Sequence, residues 1–178
     1  MGDFKAALAR TLRWEGGYSD DPVDRGGETY RGISRKNFPT WEGWLTVDNL
    51  RSAGWTLDDN AQLQHDVEEF YRRAFWNRVH GEDLPDSIAA EMFDCGVNCG
   101  AGTAAKFLQR AVGVEDDGAI GQATLRATAA YVEAHGIPAL VEKLKAARRE
   151  RYERIVENDP SQRRFLRGWL NRANEQVA

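Results

Sequence analysis

The chain lacks any apolar run that approaches the ~20 consecutive residues of a membrane-spanning helix. Its first residues, MGDFKAALARTLRWEGG, also lack the continuous apolar segment of a secretory signal peptide. Ala6 stands where an N-myristoylation motif requires serine or threonine. These absences predict a protein that is made in the cytoplasm and does not insert stably into a membrane.

Cysteine and histidine are both scarce. The two cysteines, Cys95 and Cys99, are four residues apart in FDCGVNCG, a helical spacing that gives poor disulfide geometry. A reducing compartment during synthesis is therefore the simpler interpretation. None of the three histidines lies in an HExxH motif, and a zinc site built from His80 and the two cysteines lacks a recognised spacing. We predict neither a metal ion nor another cofactor.

Charge is present in both signs but is spread unevenly. The formal net charge is −4, to which residues 141–178 contribute 10 − 6 = +4 and residues 1–140 contribute 14 − 22 = −8. In the basic stretch KLKAARRERYERIVEN, glutamates alternate with arginines as on a solvated helix face. We therefore predict no nucleic-acid binding, although a basic flank also suits the anionic envelope of bacteria.

The 178 residues are the length of one domain or of two small lobes, and their pattern predicts a mainly α fold. Phe4, Leu8, Leu12 and Glu15 follow one face of a first helix that ends at a glycine pair. Residues 18–34 are rich in turn formers, and DRGGE reads as the tip of a small β-hairpin with TYRGIS as its returning strand.

Six further helices are predicted from periodicity and from their end signals. Asp58 or Asp59 is expected to cap the first of them, and Ser161 is expected to cap the last, with Phe165 facing inward. Four helices are predicted between these two. The first starts after Pro85, the second ends at Gly113, the third ends at Gly136, and the fourth carries Pro138 in its first turn. A shorter helix is expected near TVDNLRSAG.

Glu15 is unusual because it lies on the apolar stripe of the first helix, in what we predict to be the last helical turn. Desolvation and the negative end of the helix dipole would both raise its pKa, as a general acid requires. Asp24 lies near the hairpin tip, where solvent favours the charged form, and such a split between two carboxyl groups suits glycoside cleavage. Thr29 could position a water or a sugar hydroxyl. The alternative is that Glu15 is an ordinary solvated glutamate beside glycines.

The stretch EGGYSDDPVDRGGETYRGIS resembles the opening motif of the lysozyme-like proteins of glycoside hydrolase family 108. FYRRAFWNRV and FDCGVNCG resemble later parts of that family, and KFLQRAVGVEDDGAIGQATLRA is similar to its C-terminal predicted peptidoglycan-binding region. Arg25, Tyr30 and Cys99 depart from residues that the family often has.

This resemblance implies a lysozyme-like helical fold with a small β-hairpin next to the first helix. It implies a catalytic region at residues 1–92 and a helical peptidoglycan-binding region at residues 93–178, packed as one compact unit. The activity would be that of an N-acetylmuramidase, with Glu15 as the catalytic acid and Asp24 and Thr29 in less certain roles.

Several substrate-binding residues are also predicted, each with a structural alternative. Tyr18 and Trp76 are candidates for the groove wall, largely through the resemblance, whereas Trp14 is expected to be structural. Asp94 and Asn98 share a helix face and could bind N-acetyl and hydroxyl groups, or form a network at the helix end. The remaining candidate, Gln109, has the same two interpretations.

The predicted partner is bacterial peptidoglycan, and we expect a monomer. A phage endolysin that stays in the host cytoplasm until it is released to the cell wall fits these expectations, and an effector delivered by a secretion system is an alternative. Three rival functions remain: a non-catalytic wall-binding or phage structural protein, a peptidase or amidase, and a nucleic-acid binder.

Overall fold

Helices dominate the computed structural model, which describes residues 1–20 and 27–175. The described residues form the α-helices α1 (Phe4–Leu12), α2 (Gly43–Ser52), α3 (Ala61–Tyr71), α4 (Asp86–Cys99), α5 (Ala101–Val112), α6 (Gln122–His135), α7 (Ile137–Asn158) and α8 (Arg163–Asn174), with the strands β1 (Tyr18–Ser19), β2 (Thr29–Tyr30) and β3 (Ile33–Ser34). The predicted mainly α class is therefore confirmed. No helix within these residues combines the length and the apolar character needed to cross a membrane.

The chain forms two compact units. One, the N-terminal unit, is the continuous segment Leu8–Ala74, and the other, the helical unit, combines Met1–Ala7 with Phe75–Ala178. The predicted functional boundary between residues 92 and 93 stays a prediction.

In the N-terminal unit, the hairpin is a three-stranded antiparallel sheet in the order β1-β2-β3. The prediction that TYRGIS is one returning strand is wrong, because Tyr30 pairs with Ile33 across a two-residue turn. That turn is formed by Arg31, with φ of 45°, and Gly32, with φ of 80°. Positive φ at both positions matches the right-handed twist of the strands. Arginine rarely adopts a positive φ, so the sequence TYRGIS indicated a continuous strand instead of a turn.

The first helix is shorter than predicted. It ends at Leu12, so the prediction that Glu15 lies in its last helical turn is wrong. The chain then continues in tight turns, in which the amide of Trp14 donates to the carbonyl of Thr11 at 3.0 Å and that of Glu15 to Leu12 at 3.3 Å. Such three-residue bonds are common where a helix unwinds.

The N-cap of helix α3 lies one or two residues after the predicted caps, Asp59 and Asp58. Asn60 is its N-cap, and its side-chain oxygen accepts from the amide of Leu63 at 2.8 Å. The predicted caps have other bonds: Asp58 accepts from Arg31 at 3.0 Å, and Asp59 accepts from the hydroxyl of Thr56 at 2.7 Å.

The helical unit is built around α4, whose inward side chains Ile88, Met92 and Phe93 are at most 1% exposed. Helix α5 ends at Gly113 in the left-handed conformation, and α7 carries proline in its first turn, as predicted. The expected cap of α8 and the inward position of Phe165 are wrong. Asp159 caps a short 3₁₀ turn before α8 and accepts from the amide of Ser161, while Phe165 is 43% exposed.

Candidate active site

Glu15 lies against the backbone of the hairpin turn. A methyl group placed at Gly32 would lie 2.6 Å from Oε2 of Glu15 and 3.0 Å from its Cβ. The carboxylate therefore rests over the one position of the turn that has no side chain. The Glu15 side chain itself is half-buried.

Tyr71 of α3 contacts the same turn, because the methyl group placed at Gly32 would also lie 2.8 Å from its hydroxyl oxygen. This tyrosine is 1% exposed, and its hydroxyl donates to the carbonyl of Arg31 at 2.7 Å. The amide of Arg31 donates in turn to the carbonyl of Gly17 at 3.1 Å, which joins the turn to the segment that follows Glu15. The hydrogen bond of a buried hydroxyl and one backbone hydrogen bond thus restrict the surface on which the carboxylate rests.

Thr29 lies in β2, the central strand, between Ser19 of β1 and Ser34 of β3. It is half-buried, whereas Ser19 is exposed, so hydroxyl groups line this row of the sheet. Asp24, the second predicted carboxylate, lies outside the described residues, and its role stays a prediction.

Tyr18 is engaged by charged neighbours. Its hydroxyl donates to Glu28 at 2.9 Å, and the guanidinium of Arg51 lies 4.1 Å from the ring centroid. Burial and the hydrogen bond to Glu28 raise the pKa of Tyr18 to about 12. One face of the ring is therefore covered by Arg51.

Trp76 has the surroundings of a core residue. It is fully buried, its ring meets those of Phe4 and Phe93 edge-on, and its indole NH donates to Glu82 at 3.1 Å. A side chain with no exposed surface offers nothing for a sugar to stack on, so this location matches the core-packing alternative.

Asp94 lies in a buried cluster of charges. It is 1% exposed and accepts from Arg172 of α8 at 2.8 Å, and it forms an ion pair with Arg148 of α7 at 2.8 Å. Burial acts to raise the pKa of Asp94, but the hydrogen bonds and charges of the two arginines outweigh burial and lower it. This buried network of ion pairs joins α4 to α7 and α8 and differs from the network at the helix end that the sequence left open as an alternative.

Asn98 and Gln109 also join networks within the helical unit. The side-chain oxygen of Asn98 accepts from the hydroxyl of Tyr152. Gln109 is 1% exposed, donates to Asp117 at 2.6 Å and accepts from the amide of Gly118 at 2.9 Å. Gln109 thereby fixes the turn that leads into α6, while Asn98 is exposed and remains accessible.

One aromatic residue beside Glu15 is more exposed than its predicted structural role suggests. Trp14 is 41% exposed, and its neighbour in sequence is the candidate acid. Trp14 follows the end of α1, where the stripe of buried residues stops. The sequence pattern predicted a longer helix and therefore did not indicate that this side chain is exposed. Among the described residues, no cluster of three histidine, cysteine or acidic side chains could hold a metal ion.

The comparisons with known proteins divide the chain in two. The sequence family described as glycosyl hydrolase 108 matches residues 8–100, and the family described as a predicted peptidoglycan domain matches residues 103–174. The solved structure of SagA from Brucella abortus is similar, at 29% identity over 96% of this chain and 88% of that chain, with a TM-score of 0.70. No curated protein sequence is a significant match.

Glu15, Tyr18 and Thr29 all fall within the first matched segment, and Gln109 falls within the second. The first segment covers 100 − 8 + 1 = 93 of the 178 residues, which is more than half of the chain. The chain therefore belongs to the glycosyl hydrolase 108 family, and it is a peptidoglycan-degrading protein with a lysozyme-like fold and a second, predicted peptidoglycan domain.

Proposed function

We propose that the protein is an N-acetylmuramidase that hydrolyses the β-1,4 bond between N-acetylmuramic acid and N-acetylglucosamine, with Glu15 as the general acid. The observation that carries this proposal is the placement of the Glu15 carboxylate over the turn glycine, Gly32. The hydrogen bond from the buried Tyr71 hydroxyl to the carbonyl of Arg31 limits how far the turn can move. Fixed geometry of this kind is what proton transfer to a leaving group requires.

In the proposed reaction, Glu15 gives its proton to the glycosidic oxygen as the bond from that oxygen to the anomeric carbon breaks. A water then adds to the anomeric carbon, and its proton passes to a carboxylate, either Asp24 or Glu15 itself. Thr29, on the central strand, would orient the water or a sugar hydroxyl. Trp14 supplies an exposed aromatic face next to the acid.

The test is Glu15→Gln, which keeps the shape of the side chain but removes the proton donor. We expect a loss of roughly 10²–10⁴-fold in wall hydrolysis, since general acid catalysis contributes that much. Glu42→Gln is the matched control, because Glu42 is exposed in the same unit and its side chain caps no helix. Preserved hydrolysis in folded Glu15→Gln protein would contradict the proposal.

The products identify the bond. Wall digested by the wild-type protein and then reduced with borohydride should contain muramitol at the new chain ends, whereas glucosaminitol would mean that the other glycosidic bond is cut. New free amino groups would indicate a peptidase or amidase. Binding to wall without new reducing ends would favour a non-catalytic wall-binding or phage structural protein.

We further propose that the protein acts as a monomeric endolysin that reaches the wall only after the inner membrane is breached. Its production in a bacterium should leave growth unchanged until a membrane-permeabilising agent is added, and the turbidity should then fall. Lysis without such an agent would contradict this setting. Light scattering coupled to size exclusion measures the predicted monomer.

A further inference from the structure

A basic groove runs between α5 and α7, in the segment that matches the predicted peptidoglycan domain. Its volume is about 580 Å³, within the range of sites that hold a small molecule or a short peptide. Its charged lining consists of Lys106, Arg110, Lys143, Arg151, Arg154 and Glu150. Five cations thus face one carboxylate, in a protein whose net charge is negative.

Part of this positive charge is already compensated. Arg154 pairs with Glu150 at 2.6 Å, and Arg110 pairs with Asp116 outside the lining. Lys106 and Arg151, in contrast, form no ion pair with any carboxylate of the described residues. Lys143 donates to the carbonyl of Ala111 at 3.1 Å, and its ammonium lies 4.9 Å from the ring centroid of Tyr131. Of the five cations, Lys106 on α5 and Arg151 on α7 therefore remain available to an anionic ligand.

The groove is also partly apolar. Phe107 and the small side chains Ala111, Ala146 and Ala147 line it between the charged residues. The aromatic ring is 7% exposed, so it presents only a small surface. Small apolar contacts flanked by cations fit a ligand that carries methyl groups next to carboxylates.

We propose that this groove binds the acidic stem peptide of peptidoglycan, with Lys106 and Arg151 pairing with its carboxylates and the alanine side chains contacting its methyl groups. This inference rests on the proposed function, because it supposes that the protein works on cell wall. The glycan strand is uncharged where it carries these peptides, so cations have no partner on the sugars. The peptides, built from alanine, glutamate and a diamino acid, carry both the methyl groups and the carboxylates.

The size of the groove favours a short peptide over a nucleic acid. A DNA duplex presents a charge every ~1.7 Å along its axis and is bound by extended basic surfaces. The cations of this groove are instead enclosed between two helices, and Arg110 and Arg154 already have carboxylate partners. Preferential binding of a phosphate polymer is the outcome that would compete with binding of the peptide in the test.

The experiment measures calorimetric binding of the full chain to a free alanyl-glutamyl-diaminoacyl-alanine tetrapeptide and to the same peptide with its carboxyl groups amidated. The double variant Lys106→Gln/Arg151→Gln is compared with Arg126→Gln/Arg167→Gln, which removes two exposed cations outside the groove. Both variants have a net charge of −4 − 2 = −6, so an effect of overall charge would be equal in the two.

We expect the wild-type protein and the control variant to bind the acidic peptide equally, and the groove variant to bind it roughly tenfold more weakly or worse. The amidated peptide should bind as weakly to the wild-type protein as the acidic peptide binds to the groove variant. Equal binding of the two peptides by the wild-type protein overturns the proposal without reliance on any variant. So does a preference for a single-stranded oligonucleotide or a glycerol-phosphate polymer over the acidic peptide.

The outcome is separable from that of the proposed function. Glu15→Gln should bind the tetrapeptide like the wild-type protein, because Glu15 is not part of the groove. Peptide binding without glycan cleavage would reject the muramidase and keep the groove. Glycan cleavage without peptide binding would do the reverse.

Discussion

At the scale of single residues, the site depends on Gly32 having no side chain. Gly32→Ala should reduce wall hydrolysis even in the protein that remains folded. A Cβ there would meet Oε2 of Glu15 at 2.6 Å and must displace the proposed acid. It would also meet the hydroxyl of the buried Tyr71 at 2.8 Å, and the positive φ of 80° adds a further penalty of about 1–2 kcal/mol to the cost in stability. Chemical denaturation and a reducing-end assay on purified wall measure the two effects.

Gly54→Ala provides the matched control for this substitution. Gly54 has a similar φ of 73°, but nothing lies within 4 Å of the Cβ that would be added. It should lose only the free energy of unfolding that the positive φ costs, and it should keep its activity. Equal activity losses in the two folded variants would mean that contact with Glu15 is irrelevant to the reaction.

The residues of the candidate site could be predicted only in part. The sequence indicates Glu15 because an acidic residue in the apolar pattern of a helix is unusual. Its contact with Gly32 joins residues 17 positions apart, and no local sequence pattern indicates it. Asp94 shows the same limit more strongly. Its partners, Arg148 and Arg172, lie 54 and 78 residues further along the chain, so a polar residue on a helix face looked available for sugar binding.

At the scale of helices, the buried charges fix α4 against α7 and α8. Asp94→Asn should destabilise the protein by about 3–5 kcal/mol, because it removes the buried charge that pairs with both Arg148 and Arg172 and leaves Arg148 with Glu91 as its carboxylate partner. Asp86→Asn is the control: Asp86 is exposed in the first turn of the same helix and is worth about 0.3–1 kcal/mol there. Urea denaturation at neutral pH measures both losses.

The same cluster predicts a dependence of stability on acid. The pKa of Asp94 is lower in the folded protein than its ordinary value of 3.8, so its contribution is present above that pH and is lost as the pH falls through the lowered folded value. The stability gap between the wild-type protein and Asp94→Asn should therefore narrow in acid. A gap that stays constant with pH would show that the charge of Asp94 is not what stabilises the helices.

The ends of helices were predictable where the residue type strongly prefers one backbone conformation. Gly113 and Pro138 marked the end of α5 and the start of α7 correctly, because few other residues suit those backbone positions. The failures came where tertiary contacts decide. The turn at Arg31 keeps its unusual φ with the help of Tyr71, 40 residues away, and α1 ends before the glycines that appeared to stop it.

At the scale of the whole molecule, the sequence families and the compact units divide the chain differently. The family match changes between residues 100 and 103, yet residues from 75 onward belong to the same compact unit as the rest of the C-terminal part. Helix α4 lies in the first family segment but packs on α5 and α7 of the second. The family matches alone therefore suggest a domain boundary between residues 100 and 103, where the packing of the helices is continuous.

This difference predicts how fragments behave. A fragment of residues 101–178 lacks α4, so it exposes the apolar surface that α4 covers and leaves Arg148 and Arg172 without Asp94. It should show no cooperative thermal transition by circular dichroism. A fragment of residues 75–178 keeps α4 and should unfold cooperatively, at a lower temperature than the full chain because Phe4 no longer packs on Trp76 and Phe93. Cooperative unfolding of the shorter fragment would mean that the predicted peptidoglycan domain folds by itself and that α4 is only an attached helix.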